Sequence, residues 1–240
     1  MSEAFKFERD GDVATITLNR PEAGNRLSDP MAGELAELID RAAEESRLIV
    51  LRAAGEDFCL GRESMGQRGP ALEAYDFRAR SETIFNCYDA FRRSKAPIVG
   101  VARGRSVGFG CALAALCDVT LAAETARFQL PETAHNIMPT IAMSALIDRV
   151  PKKALMYFVY ATEEIDARRA LALGLVSGVF PADKLEAGVK EFVEKMKQIP
   201  LPAVHAVKEY ARFAYGMDTP AANDFAKNLH ATVNSSSKMR

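Results

Sequence analysis

Apolar positions along the chain recur in two rhythms, one of two residues and one of three to four. Residues 4–9 (AFKFER) and 13–18 (VATITL) flank Asp10-Gly11-Asp12, a turn signal that predicts a β-hairpin. Asp29-Pro30 offers an N-cap and a first-turn proline, and the pattern behind it predicts a helix to about residue 45. A short strand is expected at 48–52, a loop at 58–67 extended by Arg68-Gly69-Pro70, and a helix over about 71–93. The run KAPIVGVA, bounded by Pro97, predicts a buried strand over 98–101. Gly104, Gly108 and Gly110 then interrupt the chain before the segment 111–116, which is apolar on all sides and so belongs in a core. A strand follows at 119–122, and helices at 139–150, 152–161 and 167–173, the last closed by Gly174. The last strand is expected at 176–180.

After Asp183 the pattern is helical only, broken at 200–202 and 216–220, with residues 235–237 as a frayed end. Strands alternating with helices, then helices alone, predict an α/β fold: a core over residues 1–182 and a C-terminal helical region over 183–240.

Composition narrows the function. At 240 residues and 48% hydrophobic, the chain can bury one large core. A net charge of −1 gives no basic surplus for nucleic acid or an anionic membrane surface. No apolar run approaches the ~20 residues that span a bilayer, and the polar start MSEAFKFERDGD has no apolar signal core, so a cytoplasmic protein is expected. Cys59, Cys87, Cys111 and Cys117 sit in apolar surroundings without a CxxC pair, which favours buried thiols in a reducing compartment. The 3 histidines are far apart in sequence, so no metal site is expected.

The stretch GRSVGFGCALAALCD, residues 104–118, carries the candidate chemistry together with Pro131-Glu132. Strand, glycine turn and buried helix aim free backbone N–H groups at one point, and an acyl oxygen would be a suitable acceptor. Glu132 is the carboxylate expected to work beside it. The same stretch contains G-x-S-x-G at 104–108, the pattern of a serine-hydrolase elbow, which would need Ser106 with His205 or His230.

Seven motifs decide between these readings: Leu18-Asn19-Arg20-Pro21, Phe58-x-x-Gly61, Lys95-Ala96-Pro97-Ile98, Gly104-x-x-x-Gly108-x-Gly110-Cys111, Cys117-Asp118, Phe128-x-x-Pro131-Glu132 and Ala170-x-x-x-Gly174-Leu175-Val176. In this order and spacing, over roughly residues 5 to 230, the chain resembles the crotonase (enoyl-CoA hydratase/isomerase) superfamily. The resemblance implies a spiral core of ββα units, C-terminal helices that assemble a homotrimer or a dimer of trimers, and an acyl-CoA thioester as substrate, with no cofactor beyond the coenzyme A it carries.

The resemblance also assigns roles. The backbone N–H groups of Arg62 and Phe109 would hold the thioester oxygen, and Glu132 would act as acid and base. Phe58, Leu60, Gly61, Glu63, Gly108, Gly110, Pro131 and His135 would surround the substrate. Family hydratases carry a first glutamate where this chain has Ala112; loss of that residue with retention of the second is the isomerase pattern. A hydratase working with one carboxylate or with Glu63 as substitute, or an acyl-CoA-binding protein without activity, are the alternatives. The chain departs from the family at Gly61-Arg62-Glu63 in place of Gly-Ala-Asp, at Asn136 in place of a glycine, and at the bulky run 140–144 in place of a glycine-rich one. Phenylalanine at 109 in place of glycine would be costly if that position required a positive φ.

Overall fold

The structure is a computed structural model that describes residues 2–63 and 73–239. Its hairpin pairs β1 (Phe5–Asp10) with β2 (Val13–Leu18), Asp10 opposite Val13, so the connection is Gly11-Asp12, with Gly11 at φ 59°. Helix α1 (Asp29–Glu45) is capped by Ser28, whose side chain accepts from the Met31 N–H. The cap therefore lies one residue before the expected Asp29, which is left free to make an ion pair described below. Strand β3 (Leu48–Ala53) follows, then α2 (Ala74–Arg93), β4 (Ile98–Ala102), β5 (Arg105–Val107), α3 (Phe109–Leu116), β6 (Val119–Ala123) and β7 (Arg127–Gln129). Beyond a 3-10 turn at Glu132–His135 come α4 (Thr140–Leu146), α5 (Lys152–Ala161), β8 (Ile165–Asp166), α6 (Ala167–Ala172) and β9 (Gly178–Phe180). The C-terminal helices are α7 (Leu185–Gln198), α8 (Leu201–Ala214) and α9 (Thr219–Asn234).

The main sheet has the order β1-β2-β3-β4-β6-β9, parallel throughout except for the hairpin. A smaller sheet, β5-β7-β8, stands beside it. Its strands were not expected from the sequence: β5 and β7 have 3 residues each and β8 has 2, too short for a period-two pattern to register. The expected helix over 139–150 ends as α-helix at Leu146, and the last strand starts at Gly178, two residues later than expected. Part of the expected loop at 58–70 and the start of the helix at 71 lie outside the described residues. Residues 237–239 form a 3-10 turn, which takes in the last residue of the stretch 235–237, and Met239 lines the groove between α8 and α9.

Alternation along the strands divides the core into two faces. Ile49 and Leu51 point to the side covered by α1, α2 and α3, while Leu48 and Val50 point to the other side, with Leu185 and Val189 of α7. Helix α3 is buried along its whole length. Lys208 fastens α8 to this framework. Its buried Nζ donates to the carbonyls of Phe91 and Ala96, each at 3.1 Å, and to Asp118 Oδ2 at 2.7 Å. Asp118 in turn accepts from the Ile98 N–H at 2.7 Å, tying together β4, the end of α3 and the C-terminal helices.

Candidate active site

The site forms where β5 runs into α3 and the segment 58–63 passes alongside. Gly110 permits the approach: a Cβ there would fall 2.0 Å from the Cys59 carbonyl oxygen. Two bonds fix the crossing, Cys59 N to Arg105 O at 3.2 Å and Val107 N to Cys59 O at 2.9 Å. On its far side the segment bridges to Leu27, with Leu27 N donating to Gly61 O at 3.2 Å and Glu63 N to Leu27 O at 2.9 Å.

These contacts orient two amides. In a trans peptide the C=O and N–H point in opposite directions. The Gly61 carbonyl is turned to Leu27, so the Arg62 N–H points away from it, and Gly61 itself lies against the Val107 carbonyl, 3.3 Å from where its Cβ would be. The Gly108 carbonyl accepts from Ala112 N at 3.0 Å, inside α3, so the Phe109 N–H projects from the helix start. No described backbone carbonyl takes either N–H. The expected strain at Phe109 does not arise. Gly108 carries the unusual conformation, φ 53° and ψ −113°, and Phe109 is an ordinary first helical residue.

Glu132 meets this turn. It opens the 3-10 turn behind Pro131, whose Thr133 hydroxyl donates to Val159 O at 2.8 Å and so moors the turn to α5. Asn136 closes the turn at φ 56°, the left-handed conformation that its short amide tolerates. The Glu132 carboxyl is half-buried, with Oε1 3.0 Å from the position a Cβ on Gly108 would take. Its Oε2 is buried and has no hydrogen-bond partner. Burial pushes its pKa above the usual carboxylate range, against smaller downward pulls from its own backbone and from His135. A half-buried carboxyl with one oxygen unpartnered and a raised pKa is a base in waiting.

The other expected residues are placed as follows. Ala112 is fully buried within α3. Glu63 is ion-paired with Arg20, which also donates to Arg26 O at 3.1 Å, so its carboxylate is committed outside the pair formed by Glu132 and Gly108. Arg62 is not a loose surface side chain: its guanidinium pairs with Asp29, and its buried Nε has no partner. Phe58 is a fully buried core residue, and its N–H donates to Arg103 O at 3.1 Å. Leu60 packs against Gly24, whose carbonyl accepts the Leu60 N–H at 2.9 Å. His135 is exposed at the end of the 3-10 turn.

Tyr88 was not expected here. It lies on the buried face of α2 with Ile84, Cys87 and Phe91, and its ring stacks on Phe109 with centroids 5.7 Å apart. Its hydroxyl is buried without a partner and is within electrostatic reach of Glu132, Arg62 and Cys111. In the sequence Tyr88 reads as one more core aromatic at helical spacing, and no local signal separates it from its neighbours.

The hydrolase elbow is not built. Ser106 is the middle residue of β5, fully buried, whereas an elbow nucleophile stands at a strand-to-helix turn. His205 lies near Lys95 and Arg47, and His230 contacts Asn234. All four cysteines are buried, and burial pushes their thiols well above the ordinary range. Among the described residues no cluster of three or more His, Cys, Asp or Glu side chains could hold a metal ion, and no helix is long and apolar enough to cross a membrane.

The sequence model of the Enoyl-CoA hydratase/isomerase family matches residues 8–240. The chain belongs to this family. It is an acyl-CoA-processing enzyme of the enoyl-CoA hydratase/isomerase type. A 2,3-dehydroadipyl-CoA hydratase of Escherichia coli (strain K12) is 33% identical over 217 residues, 88% of this chain and 82% of the relative. The crystal structure of an enoyl-CoA hydratase of Mycobacterium smegmatis superposes with a TM-score of 0.92 at 27% identity, covering 98% of this chain and 93% of that one. A Thermobifida fusca chain described as an enoyl-CoA hydratase and solved in complex with CoA matches at a TM-score of 0.85 and 25% identity, over 96% and 92% of the two chains. The crotonase-type fold expected from the seven motifs is thus the fold of this family member.

Proposed function

We propose that this family member is an enoyl-CoA isomerase that shifts a double bond with a single carboxylate. The observation that carries the proposal is the pairing of Glu132 over Gly108 with Ala112 buried behind it and Glu63 bound to Arg20. Of the two described carboxylates at the expected site positions, Glu132 is then the one left to serve the reacting carbons. The thioester oxygen of a 3-enoyl-CoA accepts from the Arg62 and Phe109 N–H groups. Glu132, as carboxylate, takes a proton from Cα; the electron pair of the C–H bond spreads through the dienolate onto the thioester oxygen. The same carboxyl returns the proton to Cγ, and the double bond comes to rest between Cα and Cβ. Each amide stabilises charge that develops only in this intermediate, an effect of about 2.7–4 kcal/mol per donor in comparable sites. The raised pKa of Glu132 strengthens it as a base for a weak carbon acid.

Hydration is the second reading, and the names of the relatives favour it. It needs a water held and activated as well as a proton delivered to Cα, work that two carboxylates divide. Initial rates on a 3-enoyl-CoA and a 2-enoyl-CoA of one chain length separate the readings. Faster isomerisation supports the proposal, and faster hydration replaces it. No cofactor beyond the coenzyme A of the substrate enters this scheme, and neither does a metal. We place the working unit in a trimer-based oligomer. Supporting this is an apolar groove of about 870 Å³ between α8 and α9, lined by Val207, Tyr210, Leu229 and Val233 among others.

A further inference from the structure

The candidate donor at Arg62 belongs to the peptide that joins Gly61 to Arg62, so its aim depends on what holds that peptide. Gly61 restrains it little: it sits at φ 108°, a conformation that residues with a side chain rarely adopt. The carbonyl of the same peptide is held by Leu27 N at 3.2 Å, the long end of the normal range. Glu63 N donates to Leu27 O at 2.9 Å, so Leu27 grips the chain on either side of Arg62. This pairing directs the Arg62 N–H away from Leu27, but it consists of these two bonds.

The side chain of Arg62 adds a third restraint. Its guanidinium is ion-paired with Asp29, the first residue of α1, two positions beyond Leu27. Asp29 is free to take it because Ser28 serves as the cap. The two side chains are 33% and 18% exposed, so solvent screens this pair less than it screens a surface pair. Helix α1 is a firm anchor, with Leu35, Leu38 and Ile39 buried in the core. The departure from Gly-Ala-Asp at residues 61–63 makes the tether possible, since an alanine could not reach Asp29. We propose that Asp29 is a positioning residue: by fixing the Arg62 guanidinium to α1, it fixes the peptide whose N–H receives the thioester oxygen. Asp29 itself touches no reacting atom. This inference rests on the reading of that amide as an oxyanion donor, and it holds for isomerisation and hydration alike, because both develop charge on the same oxygen.

A mutant cycle with an optical probe tests this. Asp29→Ala, Arg62→Ala and the double variant are assayed in whichever of the two reactions the wild type performs faster. Asp29→Ala is expected to lower kcat about tenfold with KM within about twofold, because a misaimed donor is felt mainly in the transition state and costs less than a lost one. Asp29→Glu should recover most of the loss. In the Arg62→Ala background the same Asp29→Ala change should alter kcat by less than about twofold, since Asp29 acts only through the guanidinium. A role confined to the start of α1 would cost the same in both backgrounds, and that result overturns the proposal, as does full kcat in Asp29→Ala. Should Asp29→Ala fail to fold, Asp29→Asn, of the same shape without the charge, is read by the same criteria. The probe is cinnamoyl-CoA, whose absorption moves to longer wavelength when its thioester carbonyl is polarised. The shift on binding should be present in the wild type and smaller in Asp29→Ala; an equal shift in both overturns the role of Asp29. No shift in the wild type would instead remove the oxyanion-donor reading itself, a result distinguishable from the others.

Discussion

The carboxylate of Glu132 rests on Gly108: a methyl group on that glycine would lie 3.0 Å from Oε1. The same glycine holds φ at 53°, which lets the chain turn from β5 into α3 and leaves the Phe109 N–H projecting. One residue thus sets the position of the base and of a candidate oxyanion donor. Gly108→Ala is expected to lower kcat/KM by at least about tenfold, because it adds strain at positive φ and displaces the carboxylate. Kinetics on a 3-enoyl-CoA, with circular dichroism to verify the fold, checks this. A variant as active as wild type would mean that the Glu132–Gly108 contact has no catalytic weight.

Burial raises the pKa of Glu132, and the sign of the pH dependence follows. The base works deprotonated, so kcat/KM should rise with pH through an apparent pKa above that of an ordinary glutamate. Stability runs the other way. The folded state binds this proton more tightly than the unfolded state, so the contribution is full below the unfolded pKa and is lost as pH rises through the folded value. Glu132→Gln removes a half-buried charge that burial disfavours and should therefore raise Tm at pH 7 while it lowers activity. Differential scanning calorimetry at pH 4 and pH 7 should show the gain at pH 7 and little at pH 4. A lower Tm at pH 7 would contradict this electrostatic account.

The Lys208–Asp118 pair, 2.7 Å apart with Lys208 buried, should be among the costliest contacts to break. Lys208→Met leaves Asp118 with its Ile98 N–H bond but without a counter-charge. A loss of about 3–5 kcal/mol in urea unfolding is expected, the usual cost of orphaning one member of a buried pair. A loss under about 1 kcal/mol would place the pair with surface ion pairs.

Ser106→Ala should leave turnover within about twofold of wild type, since the hydroxyl is buried and has no hydrogen-bond partner. A fluorophosphonate probe should not label the wild-type protein. Labelling at Ser106 would restore the nucleophile reading.

Much of the candidate site was legible because its parts are local. The glycine turn at 104–110 and Pro131-Glu132 each specify a backbone shape within a few residues, and such shapes leave a sequence signature. Gly110 is a good example: its requirement comes from the Cys59 carbonyl, yet it stands in the sequence as a glycine inside an apolar run. Tyr88 and Lys208 were not legible. Their partners lie far away in sequence, Phe109 for one and Asp118 for the other, and each sits in a helical pattern that explains it as packing or as surface. The cap at Ser28 was displaced for a similar reason: Asp29 is engaged by Arg62, which the local pattern does not contain. The strands β5, β7 and β8 are held by neighbours in the small sheet rather than by any rhythm of their own.

The most direct test of the central claim is the conversion of a 3-enoyl-CoA to its conjugated 2-enoyl-CoA by wild type and Glu132→Gln, followed by the absorbance of the conjugated thioester. The account predicts isomerisation by the wild type that outpaces its hydration of the 2-enoyl-CoA of the same length, and a rate for Glu132→Gln lower by at least about 10²-fold, the low end for loss of a positioned base. Near-wild-type turnover by Glu132→Gln, or hydration faster than isomerisation in the wild type, would contradict it.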